Sequence, residues 1–342
     1  MAAKRKTAAK RTVQKAAKKI ADPSRWKFGI TFPIVLILIL FAAAFVYGGY
    51  LESGTEEDEP PQVVSNFIKK DADLAVHYID VGQGDSSLIV YKDKSILIDA
   101  GERDSGSTVV EYIQSLGIEK LDYVIATHPH SDHIGGLPDV INSFEIGTVI
   151  APRISDEMTP TTKTYERFLT ALSGKGLRLT AANAGDTYSI ADPDIESDNT
   201  EFEILAPVKN DYDDLNNWSV VLKLVHGGTS FIFTGDAEKS AENDILDSGA
   251  DVSADVLKVG HHGSSTSTSK AFLKAVSPSI AVIQCGTDNS YGHPHAETIE
   301  KLDSSNVKIY RNDYDGTVII YSDGKDIRAV TEKGDAKQNV DN

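Results

Sequence analysis

Thr127-His128-Pro129-His130-Ser131-Asp132-His133-Ile134-Gly135-Gly136 is the stretch on which the reading of this 342-residue chain turns. Three of only nine histidines fall within six positions, with a carboxylate among them. Residues 121–126 before it are apolar and β-rich, so the cluster sits where a strand ends. Imidazole and carboxylate are the ligands that Zn²⁺ and similar divalent ions prefer. A strand end followed by a turn can aim His128 and His130 at one ion and Asp132 and His133 at a second. The alternative, a solvated polar loop, fits poorly with so isolated a cluster.

Two further apolar strands end in ligand-type residues. Phe231-Ile232-Phe233-Thr234-Gly235-Asp236 ends in a carboxylate that could bridge two cations about 3.5–4 Å apart. Its plainer reading is the N-cap of a helix over 237–247. Val256-Leu257-Lys258-Val259-Gly260-His261-His262-Gly263-Ser264 ends in a histidine pair. One of His261 and His262 is expected to bind metal and the other to contact substrate; the sequence leaves the choice open.

Charge is distributed unevenly. Residues 1–50 hold ten Lys/Arg and one acid, leaving 24 basic and 50 acidic residues beyond them, a net charge of −26. Residues 28–51 carry no charge, and a helix of that length, at about 1.5 Å per residue, crosses a hydrocarbon core of about 30 Å. The expectation is a basic cytoplasmic arm (1–27), a transmembrane helix (28–51), an acidic linker (52–70), a domain over 71–330 and a polar tail (331–342). The basic flank predicts the amino terminus inside and the acidic body outside. Cleavage of the apolar segment after 42–44 is the alternative, and the Ala/Lys-rich arm suits nucleic acid as well as a phospholipid surface.

From residue 74 strands and helices alternate. Strands are expected at 74–81, 87–91, 95–100, 121–127, 256–259, 280–284, 307–310 and 317–321. Helices are expected at 108–116, 165–172, 237–247, 270–276 and 298–302, and a hairpin at 220–225 and 230–234 turned by His226-Gly227-Gly228. Such a mixture suits sheets covered by helices. The single cysteine, Cys285, excludes an intramolecular disulfide and reads as a small buried residue. His77 reads as packed or exposed on a strand, and His295 as a helix start.

His128-x-His130-x-Asp132-His133, followed by Thr-Gly-Asp236 and His261-His262-Gly-Ser, resembles the metallo-β-lactamase superfamily. Asp80-Val81-Gly82-Gln83-Gly84-Asp85, Ile98-Asp99-Ala100-Gly101, Asn216-Asn217-Trp218-Ser219 and Ser290-Tyr291-Gly292-His293-Pro294 narrow the resemblance to the ComEC-type hydrolase domains, over about residues 74–322. The resemblance implies an α/β fold, an αββα four-layer sandwich, here preceded by one transmembrane helix. It implies a dinuclear site with His128 and His130 on one metal and Asp132 and His133 on the other. Asp236 would bridge, and His261 or His262 would complete the second set. The further histidine usual some twenty residues before the bridging Asp is replaced by Asn217-Trp218-Ser219, and His226 is misplaced for that role. One metal is thereby left with fewer ligands: two divalent ions are expected, Zn²⁺ first, with Mn²⁺ allowed at the weaker position.

The implied chemistry is hydrolysis by a water acidified on metal to a pKa of about 7, attacking phosphorus in line. Asp132 would also orient the water. His293 would donate a proton or contact phosphate, unless it is only a packed turn residue. Asn217, Ser219, Ser264 and Tyr291 are the expected substrate contacts. Gln83 and Asp85 read equally as a tight turn or as site lining. The expected activity is a membrane-anchored, extracytoplasmic phosphodiesterase or deoxyribonuclease. The acidic body counts against tight DNA binding, with Lys258, Lys270 and Lys274 the only hint of a basic patch. The alternatives are hydrolysis of a lactone, β-lactam or thioester, and a degenerate surface binding module.

Overall fold

Short apolar runs joined by tight turns lay down β1 (Leu74–Tyr78), β2 (Ser87–Tyr91) and β3 (Lys94–Ile98) as an antiparallel ribbon. In it Val76 opposes Ile89, which opposes Ile96. The computed structural model describes residues 72–334, so the arm, the expected span at 28–51 and the linker to residue 70 lie outside the described residues, as does most of the tail. Among the described residues no helix is long and apolar enough to cross a membrane.

From β3 the chain crosses through α1 (Gly106–Ser115) into β4 (Lys120–Ile125), parallel to β3. It continues through α2 (Ser131–Ile134) and α3 (Leu137–Ser143) into β5 (Glu145–Ala151), and through α4 (Lys163–Gly174) into β6 (Leu179–Ala181). A second sheet is built from β7 (Thr187–Ser189), β8 (Glu201–Ala206) and the hairpin β9 (Val221–His226) and β10 (Thr229–Phe233). After α5 (Lys239–Ser248) come β11 (Val256–Lys258), α6 (Lys270–Val276), β12 (Ile280–Ile283), α7 (Ala296–Asp303) and β13 (Lys308–Arg311). The short α8 (Asn312–Asp315) leads back to the first sheet, which β14 (Val318–Ser322) and β15 (Ile327–Thr331) complete beside β1. The strand orders are β15-β14-β1-β2-β3-β4-β5-β6 and β13-β12-β11-β10-β9-β8-β7.

Three apolar layers hold four structural ones. Val76, Ile89, Ile96, Phe202, Leu222, Phe231 and Ile320 pack the two sheets face to face. Leu88, Leu97 and Val124 on the other face of the first sheet meet Ile113, Val140 and Phe168 of its helices. Ile232, Leu257 and Ala281 of the second sheet meet Ile245, Phe272 and Leu302. Strands buried on both faces need apolar residues at consecutive positions, which is why β12 and residues 231–233 of β10 read as unbroken hydrophobic runs. The αββα layering anticipated from the sequence is therefore the layering observed.

Several boundaries differ from expectation. The helix expected at 237–247 begins at Lys239 with Glu238 in the capping position, so Asp236 is not its N-cap. The strands β5 and β15 were not anticipated. Each strand that matters for chemistry (β3, β4, β10, β11 and β12) has a parallel neighbour, and the loops after their carboxyl ends carry the polar residues described next.

Candidate metal centre

The loop after β4 and the loops after β10 and β11 come from different sheets and meet at one place. His133 Nε2 lies 3.2 Å from Asp236 Oδ1, and His262 Nε2 lies 3.2 Å from Asp132 Oδ2 and 3.6 Å from Asp236 Oδ2. On the other side of Asp236, His128 Nε2 is 3.8 Å from Oδ2 and 2.9 Å from His130 Nδ1. Ligand-type atoms of His128, His130 and Asp236 all fall within 4.8 Å of one another, as do those of Asp85, His133, Asp236 and His262. His133 Nε2, His262 Nε2 and Asp236 Oδ1 are buried without a hydrogen-bond partner among the described residues. Buried polar atoms are rarely left unpaired, and a shared cation would satisfy all three at once. The donor set fits two divalent ions with Asp236 between them.

Which face of each ring looks inward is set from behind. His133 Nδ1 is 2.8 Å from Asp99 Oδ2, and Asp99 also accepts the Thr127 N–H and hydroxyl. His262 Nδ1 donates to the Gln284 carbonyl at 3.0 Å and lies 3.2 Å from Asp85 Oδ1. His128 Nδ1 is within 3.3 Å of the Thr127 and Ser219 hydroxyls. Carboxylates and carbonyls behind an imidazole fix its tautomer and leave Nε2 free to ligate. Asp85 therefore stands behind the ring of His262, on the opposite side from Asp132, and its own charge is met by buried Lys258. Asp132, facing the same Nε2 as Asp236, is the better placed ligand.

Local backbone explains how neighbouring histidines diverge. His261 and His262 both take left-handed conformations (φ 51° and 53°), a departure that costs about 1–3 kcal/mol per residue and clusters at functional sites. His262 turns inward and is buried. His261 stays on the wall, with Nε2 3.7 Å from Asp236 Oδ2 and Nδ1 against Thr266 and Glu238. Gly84 lets the Asp80–Asp85 turn approach the histidine loop, since a Cβ there would sit 2.4 Å from the Asp132 carbonyl.

Electrostatics follow from this packing. Burial works against charge on His262, but Asp236 and Asp85 outweigh it and push the ring up to about 10. Burial likewise opposes charge on His133, yet Asp236 and Asp99 hold it well above the usual range. Despite burial, His133 and His262 hold Asp236 well below the ordinary carboxylate range. His128, buried beside His133, is pulled well below its usual value. Burial, with His262 and His261 close by, brings His293 down to about 4, so its ring is neutral at neutral pH.

A cleft of about 300 Å³ opens over these atoms, walled by Gln83, His130, Ser131, Asp132, Asn216, Asp236, His261, His262, Tyr291 and His293. His293 stands on the wall with Nδ1 unpaired. As a neutral ring it can form a hydrogen bond to a phosphate oxygen, but it is not an imidazolium acid. Other expected contacts are placed elsewhere. Asn217 is buried and its Oδ1 accepts the Glu238 and Ala241 N–H groups; its neighbour Asn216 faces the cleft instead. The Ser219 hydroxyl accepts the Asp236 N–H and touches His128, so it supports the site from below. The Ser264 hydroxyl pairs with Thr266 and is not on the cleft wall. Lys258, expected in a basic patch, is buried against Asp85 and the Gly235 carbonyl. His226 packs with Thr200 and Tyr91, His77 bonds Tyr112, and His295 holds Ser265 at the start of α7. Cys285 is buried near Asp313, and burial pushes its thiol up to about 12.

This fold and this constellation define a class. Residues 79–287 match the family described as the metallo-beta-lactamase superfamily, and the chain belongs to it. It is 31% identical over 263 residues to ComE operon protein 3 of Bacillus subtilis, covering 71% of the chain and 32% of that protein. It is 30% identical over 248 residues to Competence protein ComA of Neisseria gonorrhoeae, covering 72% and 32%. The chain thus spans about a third of the length of the curated relatives it matches. Among solved structures, Igni18, a metallo hydrolase from Ignicoccus hospitalis, is similar over 72% of the chain and 98% of its own, with 17% identity and a TM-score of 0.47. The chain is a metallo-β-lactamase-fold protein with a candidate two-metal site and relatives among the competence proteins.

Proposed function

We propose that this protein is a metal-dependent phosphodiesterase of the ComEC type, acting on DNA or a smaller phosphodiester. One observation carries the reading: buried ligand-type atoms of His133, His262 and Asp236 converge within 4.8 Å of one another beneath an open cleft, with each ring braced from behind. The departure at 217–219 adds support, because the first position keeps only His128, His130 and the shared Asp236 and so leaves room for a substrate oxygen. The ComEC-type motifs at 80–85, 216–219 and 290–294 favour a phosphodiester over a lactam or lactone.

Divalent ions held by these residues, Zn²⁺ or Mn²⁺, would supply Lewis acidity and acidify water. Asp132, facing the cleft beside His262, orients the attacking water and receives its hydrogen bond. The His293 ring and the Asn216 side-chain amide, both on the cleft wall, would donate hydrogen bonds to non-bridging phosphate oxygens. The Asp99, Asp85 and Ser219 contacts keep the inner ring nitrogens aimed at the floor. Residues 28–51 would anchor the domain outside the membrane.

The test is a substrate panel on the full chain in detergent with Zn²⁺, Mn²⁺ or Mg²⁺. Bis(p-nitrophenyl) phosphate, single-stranded DNA, phosphocholine esters and a chromogenic lactam would be compared. Phosphodiester cleavage that Asp236→Asn abolishes is the expected result. Lactam cleavage without phosphodiester cleavage would overturn the proposal, and absence of both activity and bound metal would point to a binding module.

A further inference from the structure

We propose that Tyr291 is a stacking platform for an unpaired nucleobase next to the bond being cut, which makes the preferred substrate a single-stranded nucleic acid. This rests on the phosphodiesterase reading and narrows it. Tyr291 lines the cleft yet is 63% exposed, and its hydroxyl makes no hydrogen bond among the described residues. Its ring lies nearly parallel to His293, with centroids 5.6 Å apart and an interplanar angle of 18°. His293 in turn lies over His262 at 6.1 Å and 29°. A short column of rings therefore runs from the candidate metal ligand to the mouth of the cleft, and Tyr291 is its outer member.

The turn that presents Tyr291 is braced. The Asn289 amide donates to the Gly286 and His293 carbonyls, and its oxygen accepts the His293 N–H. A large apolar ring held out to water on a fixed turn is unfavourable in isolation, because burying such a surface is worth more than exposing it. A flat partner would recover that loss. Base stacking on an aromatic side chain is tolerant of sequence, since every base has a π-face. A quaternary ammonium group fits less well, because it is held by cages of several aromatic faces and this mouth offers a single tyrosine ring. Stacking also addresses the charge problem. The body beyond residue 50, at a net −26, gains little from counterion release, so its own affinity for a strand has to come largely from contacts that salt does not screen.

The experiment compares a fluorescent thymidine oligonucleotide with a strand of equal length carrying abasic residues, on the full chain in detergent. Binding is read by anisotropy in EDTA and cleavage with Mn²⁺ or Zn²⁺. Wild type is expected to prefer the base-bearing strand by about 10- to 100-fold, a ratio that changes little with salt because both strands carry the same phosphates. Tyr291→Ala should bring that ratio close to one, while Tyr291→Phe and Tyr291→Trp should keep it. An unchanged ratio in Tyr291→Ala, or no base preference in wild type, overturns the inference even if both strands are cut. Tyr291-dependent binding of phosphocholine in preference to the oligonucleotide also overturns it. Base-dependent binding in EDTA without any cleavage leaves the stacking platform standing and sinks the phosphodiesterase reading.

Discussion

Asp99 Oδ2 lies 2.8 Å from Nδ1 of His133, on the far side of the ring from the nitrogen that faces Asp236. The carboxylate also takes both donors of Thr127, so it ties the end of β4 to the loop that carries the candidate ligands. Replacing it tests orientation apart from ligation. Asp99→Asn should weaken metal binding at the His133 position about 10- to 100-fold, as outer-layer substitutions commonly do, while the His128–His130 position stays intact. Isothermal titration of the metal-stripped protein with Zn²⁺ measures this, and an unchanged affinity would remove Asp99 as the orienting group.

Lys258 and Asp85 form an ion pair that is almost wholly buried. Removing Asp85 leaves the Lys258 charge buried without a counter-charge, which costs about 3–5 kcal/mol, whereas removing Lys258 costs less because His262 still faces Asp85. Asp85→Asn and Lys258→Met should both lower the denaturation midpoint, Asp85→Asn the more. The double variant should recover most of the loss, because an apolar or neutral pair is tolerated there. Simple additivity in urea unfolding would show that the two charges are not coupled.

Metal uptake should release protons. With no cation bound, His262 titrates at about 10 and His133 is held well above its ordinary value, so both rings are protonated at pH 7. A cation has to displace those protons, so affinity rises with pH until His262 deprotonates near 10. Calorimetry in buffers of different ionisation enthalpy should give close to two protons released at pH 7, and a value near zero would refute the assignment.

Burial holds His77 at about 4, against about 6.5 in an unfolded chain. Between those values the unfolded state binds more protons, so stability falls as pH drops from 6.5 to 4, by up to ~1.4 kcal/mol per unit and about 3 kcal/mol in all. Above pH 6.5 this contribution is fully present. Urea midpoints across the window should fall less steeply in His77→Gln than in wild type, and parallel curves would show that His77 is not the group responsible.

The candidate cluster was legible because its chemistry is carried by residue type: His128, His130, Asp132, His133 and Asp236 could be grouped without knowing any coordinates, and the fold brings them together. The choice between His261 and His262 was not legible, since it depends on two consecutive left-handed residues that no composition rule predicts. Asp85 and Asp99 stood in turns that the sequence marks clearly. Their role as braces came only from packing, which places them behind rings more than thirty residues away in the chain. Lys258 read as surface charge although its neighbours Leu257 and Val259 are apolar; that contrast was the available signal of a buried partner. Gly147 obscured β5, because glycine weakens a strand reading, yet the space beside the Asp122 carbonyl admits no larger residue.

The return of the chain to its first sheet has a consequence in time. β1 pairs with β2 on one side and with β14 on the other, so the residue paired with Leu74 is Ser322. All the candidate site residues precede both closing strands. During synthesis at roughly 5–20 residues per second, one edge of β1 therefore waits about ten to fifty seconds for its neighbour. Only late in that interval, once His293 has been made, does the nascent domain carry the complete set of histidines and carboxylates beside a still unpaired, adhesive strand. What the ribosome has left to make by then is the seal that keeps two such molecules from pairing with each other.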